Sequence, residues 1–97
     1  MSVEKPILWN PDKNIELMRQ RGISFEEILS AIGQGGLLMT LEHPNKQRYA
    51  SQKIWVVGFR DYAYLVPFVE SEHDIFLKTI MPSRKATKQY LNEPNND

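Results

Sequence analysis

The chain contains no cysteine, which removes disulfides and thiolate metal sites from consideration. It has no apolar run approaching the roughly 18 residues of a membrane span. Its opening, MSVEKPILWN, lacks the basic segment and apolar core of a signal peptide. These three absences predict a cytoplasmic protein with no membrane association. Histidine is scarce: His43 and His73 each stand alone in a turn, with no H-x-x-x-H pair or carboxylate at ligand spacing. A metal site is therefore not expected, and neither is a cofactor. Glycine is sparse as well, and three of the 5 glycines sit in the stretch GQGG. That stretch follows a helix rather than bridging a strand to a helix, so it reads as a connection and not as a phosphate loop. Net charge is also missing: 12 basic residues balance 12 acidic ones, with a pI near 6.7. Neutrality argues against broad nonspecific binding to nucleic acid, but a local cationic groove stays open because polyanion contact depends on where charge sits.

What is present fits one domain spanning residues 1–97, ordered over about 7–91 with a frayed tail at 92–97. The apolar share of 41% is enough for a single, modest core. Residues 7–9 read as a short strand. Asn10 caps a helix with Pro11 at its first position, where a missing N–H costs nothing, and Gly22 ends it. Ile15, Leu17 and Met18 give that helix a narrow apolar stripe. Ser24 and Glu27 have capping-box spacing, with Ile23 and Ile28 as a hydrophobic staple. Phe25, Ile28, Leu29 and Ile32 then fall on one helical face.

Beyond the glycines the apolar period changes to two. Strands are predicted over 37–42, 52–60, 62–70 and 75–81, with Arg60-Asp61 as a tight turn that lacks the usual glycine. Pro67 cannot donate to a ladder and so predicts a bulge or an outward-facing edge. Glu70, Glu72 and Asp74 are spaced by two and read as a solvated acidic turn. Pro82-Ser83 breaks the last strand, and Ser83 caps a final helix from Arg84 to about Leu91. The expected class is α+β: an N-terminal helical hairpin, a four-stranded, mainly antiparallel sheet and a short C-terminal helix.

Charge is unevenly spread. Residues 46–90 hold eight basic residues against four acidic ones. The stretch KTIMPSRKATKQYL carries Lys78, Arg84, Lys85 and Lys88 without a carboxylate. Arg84 and Lys85 would occupy the first turn of the last helix, where cations oppose the helix dipole by roughly 0.3–1 kcal/mol each. An anion there would relieve the conflict. A merely solvated helix accounts for the same charges. A second group, His43, Lys46, Arg48 and Tyr49, surrounds the turn entering the sheet. Cleavage of RNA without metal needs a base, cations for the phosphorane and an acid for the leaving oxygen. Glu70 or His43 can serve as base, Arg48 and Arg84 as phosphate clamps, and Lys78 or Tyr90 as a further donor.

The segment WNPDKNIELMRQRGISFEEI resembles the opening of the BrnT toxin family, with its tryptophan, lysine, paired basic residues, glycine and capped helix beginning S-F-E-E. The segment IFLKTIMPSRKATKQYL resembles that family's last strand and its R-x-A-containing helix. Together the two matches bracket nearly the whole chain, while the middle matches only in its strand pattern. This resemblance implies a type II toxin–antitoxin system. The toxin would be a small ribonuclease of RelE/ParE-like fold, inhibited by a cognate DNA-binding antitoxin of ribbon-helix-helix type, and the complex would repress its own operon. The family's terminal arginine falls on Arg84, followed by Ala86 and Lys88. Where members usually carry histidine before the first glycine turn, this chain has Arg21. The rival expectation is a non-catalytic interaction module of the same fold, favoured by the neutral pI; self-association stays open under either.

Overall fold

The computed structural model describes residues 5–45, 47–49 and 51–91. Lys46 and the expected frayed tail at 92–97 lie outside the described residues. The order is β1 (Ile7–Trp9), α1 (Pro11–Arg21), α2 (Phe25–Gly33), β2 (Leu37–Glu42), β3 (Gln52–Phe59), β4 (Tyr62–Glu70), β5 (Ile75–Leu77), β6 (Met81–Pro82) and α3 (Arg84–Tyr90).

The helix boundaries follow from cap chemistry. Asn10 accepts from the N–H groups of Asp12 and Lys13, and Gly22 closes α1 at φ 68°, a conformation in which glycine carries no Cβ penalty. Ser24 and Glu27 form the reciprocal capping box of α2. The α1 stripe differs from expectation. Leu17 is buried, but Ile15 and Met18 are exposed and Asn14 takes the inward position instead. Asn14 Oδ1 accepts from the Phe25 N–H at 2.8 Å, and its Nδ2 donates to Glu26 Oε1 at 2.7 Å. A polar residue sits in the core because it satisfies a donor at the start of α2 that would otherwise be orphaned. Asn14 thus ties the two helices together, while α2 also lies against β3; a simple helical hairpin is too coarse a description.

The sheet is larger and more mixed than four antiparallel strands. Its order is β1-β5-β4-β3-β2, with β6 also pairing β4. β1 pairs β5 in parallel, with Leu8 opposite Phe76, while the other pairings are antiparallel. The predicted strand over 75–81 is divided, and Pro67 explains the division. Pro67 lies in register opposite Ile54, inside a strand that has neighbours on both sides, so it is not at an edge. The pairings beside it, Phe68 with Leu77 and Leu65 with Met81, leave one extra residue on the facing chain, so the expected bulge lies opposite Pro67. Its carbonyl accepts from the Lys78 N–H at 2.8 Å. Its donor-less nitrogen therefore faces the same side, where the chain leaves β5 and has not yet entered β6.

Cross-strand partners share a face, so the registers assign two. One face buries Val57, Val66, Phe68 and Leu77 against Phe25, Ile28, Leu17 and Ile23 of the helical layer. The other buries Val56 and Ala63 under Ala86, with Tyr90 and Leu91 packed beside them. This second face is only partly covered, because α3 is seven residues long. The GQGG stretch joins the layers. A Cβ on Gly36 would lie 2.8 Å from the carbonyl oxygens of Ala31 and Gly58, so that position serves close backbone approach.

Candidate functional site

Lys78 reaches the second face from the gap between β5 and β6. Leu77 before it is buried in the core, so in an extended chain the lysine turns to the opposite side. His43 follows β2 and is anchored by its N–H donating to the Gln52 carbonyl at 3.3 Å. With Lys53, Ile54 and Pro67, these two residues line a small cleft of about 80 Å³. His43 and Lys78, far apart in sequence, are thus brought together.

The imidazole has a defined setting. The Asn45 N–H donates to His43 Nδ1 at 3.1 Å, so the proton of the neutral ring belongs on Nε2. The ring lies against Tyr49 at 4.3 Å between centroids, and the Arg48 guanidinium sits 5.5 Å from the centre of the same Tyr49 ring. His43, Arg48 and Tyr49 therefore form one group at the sheet entrance, as the sequence suggests.

Glu70 stands differently. It projects from the helix-bearing face, and its carboxylate is held by Lys5 at 2.8 Å and Lys53 at 3.4 Å. The hydrogen bond from Lys5 keeps its pKa below the usual carboxylate range, with Lys53 adding to the effect. Glu70 does not line the cleft, and its ion pairs with Lys5 and Lys53 lie on the opposite face of the sheet.

On α3, Ser83 Oγ accepts from the Ala86 N–H at 3.0 Å. Arg84 and Lys85 occupy the exposed first turn, and Lys88 is exposed near its end. The Arg84 and Lys88 pair adds a like-charge i,i+4 repulsion to the dipole conflict. Among the described residues, Lys5, Lys13, Lys53 and Arg60 make ion pairs, whereas Lys78, Arg84, Lys85 and Lys88 do not, nor do Arg19, Arg21 and Arg48. None of the α3 cations lines the cleft; they lie on the helix packed over the same face. Tyr90 is half-buried and packs against the Val56, Ala63 and Ala86 cluster.

Two residues escape a sequence reading. Lys53 sits at a strand position whose neighbours two and four residues on, Trp55 and Val57, pack against and within the core, and only the period of two would have turned it toward Glu70. Thr87 is buried, accepts from the Ala63 N–H at 2.8 Å and donates to the Ser83 carbonyl at 2.8 Å. It docks α3 on β4. Three larger hollows, of about 450, 390 and 340 Å³, contain none of the expected site residues. Among the described residues, no group of three or more histidine or acidic side chains is arranged to hold a metal ion. No protein-family model, curated protein or solved structure matches this chain.

Proposed function

We propose that the protein is the toxin of a type II toxin–antitoxin system, BrnT-like within the RelE/ParE-like group. In this reading it is a cytoplasmic ribonuclease that cleaves RNA by metal-independent transesterification and is inhibited by a cognate DNA-binding antitoxin. The observation that supports it most is the gathering of cations and a histidine on one sheet face: Lys78 and His43 in the cleft, and Arg84, Lys85 and Lys88 on the helix packed over that face.

In the proposed reaction the 2′-hydroxyl loses its proton and attacks the adjacent phosphorus. The bond to the 5′-oxygen breaks, that oxygen takes up a proton, and a 2′,3′-cyclic phosphate is left. Lys78 and Arg84 neutralise the phosphorane, while Arg48, Lys46, Lys85 and Lys88 hold flanking phosphates. His43 is the proton carrier nearest Lys78. Its neutral ring donates from Nε2, and acting as a base requires loss of the Asn45 contact. Glu70, kept ionised by Lys5 and Lys53, lies on the other face of the sheet and is not placed to act as base for a phosphate held at Lys78, while Tyr90 is a further donor. A second reading, a non-catalytic interaction module, is favoured by one observation: exposed apolar residues on the same face.

The deciding experiment is inducible expression in a host lacking the neighbouring gene, with growth and total RNA followed together. The toxin reading predicts arrest with RNA loss for the wild type. Arg84→Ala should relieve both while leaving the thermal midpoint within about 2 °C, because exposed substitutions rarely change stability by more than about 0.5 kcal/mol. Normal growth with intact RNA and folded wild-type protein would favour the module.

A further inference from the structure

The strand registers define a band of the second face that α3 leaves uncovered. Leu8, Phe76 and Val69 are successive cross-strand neighbours on β1, β5 and β4. Pro67, Ile54 and Leu41 continue the band across β4, β3 and β2, with Met39 beside them opposite Val56. Leu8, Met39, Phe76 and Leu41 are 45%, 42%, 38% and 36% exposed. Isolated exposed apolar residues are ordinary, but a contiguous row across a whole sheet marks an interaction surface.

Charge limits what fits. Lys78 and His43 line the cleft set into this band, and α3 beside it carries Arg84, Lys85 and Lys88. No carboxylate projects from this face among the described strand residues, since Glu42 and Glu70 alternate to the other side with Lys53. A second copy docking through the same face would set cations against cations without relief. Single-stranded RNA would find an aliphatic floor with one aromatic side chain, Phe76, and not the succession of rings on which bases stack. A carboxylate-bearing apolar segment satisfies both the floor and the rim.

Shape selects a helix. The band crosses five strands, about 19 Å at a spacing of roughly 4.8 Å, which is the length of a helix of about 13 residues. α3 already lies on this face, so the sheet accepts helix packing. We infer that the uncovered band is the docking surface for an acidic amphipathic helix of a partner protein. It rests on the reading above only in naming that partner as the antitoxin, whose helix would then lie over His43 and Lys78 and shield them from RNA.

The test uses two exposed positions outside the catalytic groups, Phe76→Glu and Met39→Glu, with folding checked by circular dichroism. The probe is a labelled helical peptide of about 14 residues with one leucine stripe and glutamate elsewhere, read by fluorescence polarisation. The wild type should bind it, each variant should bind about tenfold or more weakly, and raising salt from about 0.05 to 0.5 M should weaken binding. A peptide with lysine in place of glutamate should not bind. Equal binding by wild type and folded variants, or equal binding of the lysine peptide, would overturn the inference. So would a labelled single-stranded RNA losing affinity through these substitutions while the acidic peptide does not. In cells, the variants should still arrest growth but escape rescue by the neighbouring gene's product; retained rescue would refute the antitoxin assignment and leave the nuclease intact. Should the wild type cause no arrest, the toxin reading fails while the peptide measurement still decides the surface.

Discussion

At the scale of single residues, the least visible contributions come from polar groups placed inside. Thr87 gives a buried Ala63 N–H its acceptor and returns its own proton to Ser83. Thr87→Val keeps the shape and removes that acceptor, so it should cost about 1–3 kcal/mol, measurable by urea denaturation; a change below about 0.5 kcal/mol would mean that water replaces the hydroxyl. Glu70 makes a pH-dependent contribution. Its folded pKa is depressed, first by the Lys5 hydrogen bond, so its stabilisation is full above the unfolded value of about 4.3 and is lost as pH falls through the folded value. The difference in thermal midpoint between wild type and Glu70→Gln should be largest near neutral pH and shrink below about pH 4; a difference constant with pH would exclude the ion pairs as its source. Neither Asn14 nor Thr87 signals its role in sequence, because the donors they satisfy, on Phe25 and Ala63, lie on other elements. Asn10, Ser24 and Ser83 are legible because each caps its own chain two or three residues on.

At the scale of elements, helix ends and hairpin strands follow from local chemistry. The β1 and β5 pairing and the split between β5 and β6 do not, because they join distant segments. Only the missing N–H of Pro67 hints at the split, and its meaning depends on which strand lies beside it. The β3–β4 turn shows a local cost. Arg60 and Asp61 have φ of 54° and 63°, the left-handed region that hairpin turns of this kind require. Arg60 is engaged with Glu27 and the Gly22 carbonyl, so Asp61 is the position to change. Asp61→Gly should raise stability by about 0.5–1 kcal/mol, since a residue with a Cβ carries roughly 1–2 kcal/mol of strain there and glycine gives part of that back as chain entropy. A loss of stability in thermal melts would show that the Asp61 side chain contributes more than its strain.

At the scale of the whole molecule, a formally neutral chain separates its charges by face. Lys5 and Lys53 are matched by Glu70 beside the helical layer, while across the sheet Lys78, Arg84, Lys85 and Lys88 make no ion pair among the described residues. The charged stretch at 78–91 is visible in sequence as an excess without carboxylates. Its placement on the same face as His43 is not, because a bend between β5 and β6 and the packing of α3 create it. The exposed apolar band is hidden in sequence for the same reason: Leu8, Met39 and Phe76 look like core until the sheet order leaves one face half covered. In the proposed function this face acts on RNA phosphates with side chains alone. The most direct test incubates purified protein, in excess chelator, with end-labelled single-stranded RNA and identifies the new termini. Cleavage leaving 2′,3′-cyclic phosphate and 5′-hydroxyl ends, lost in Arg84→Ala and Lys78→Ala with both variants folded, is the predicted result. Intact RNA with folded wild-type protein, or cleavage unaffected by both substitutions, would contradict it.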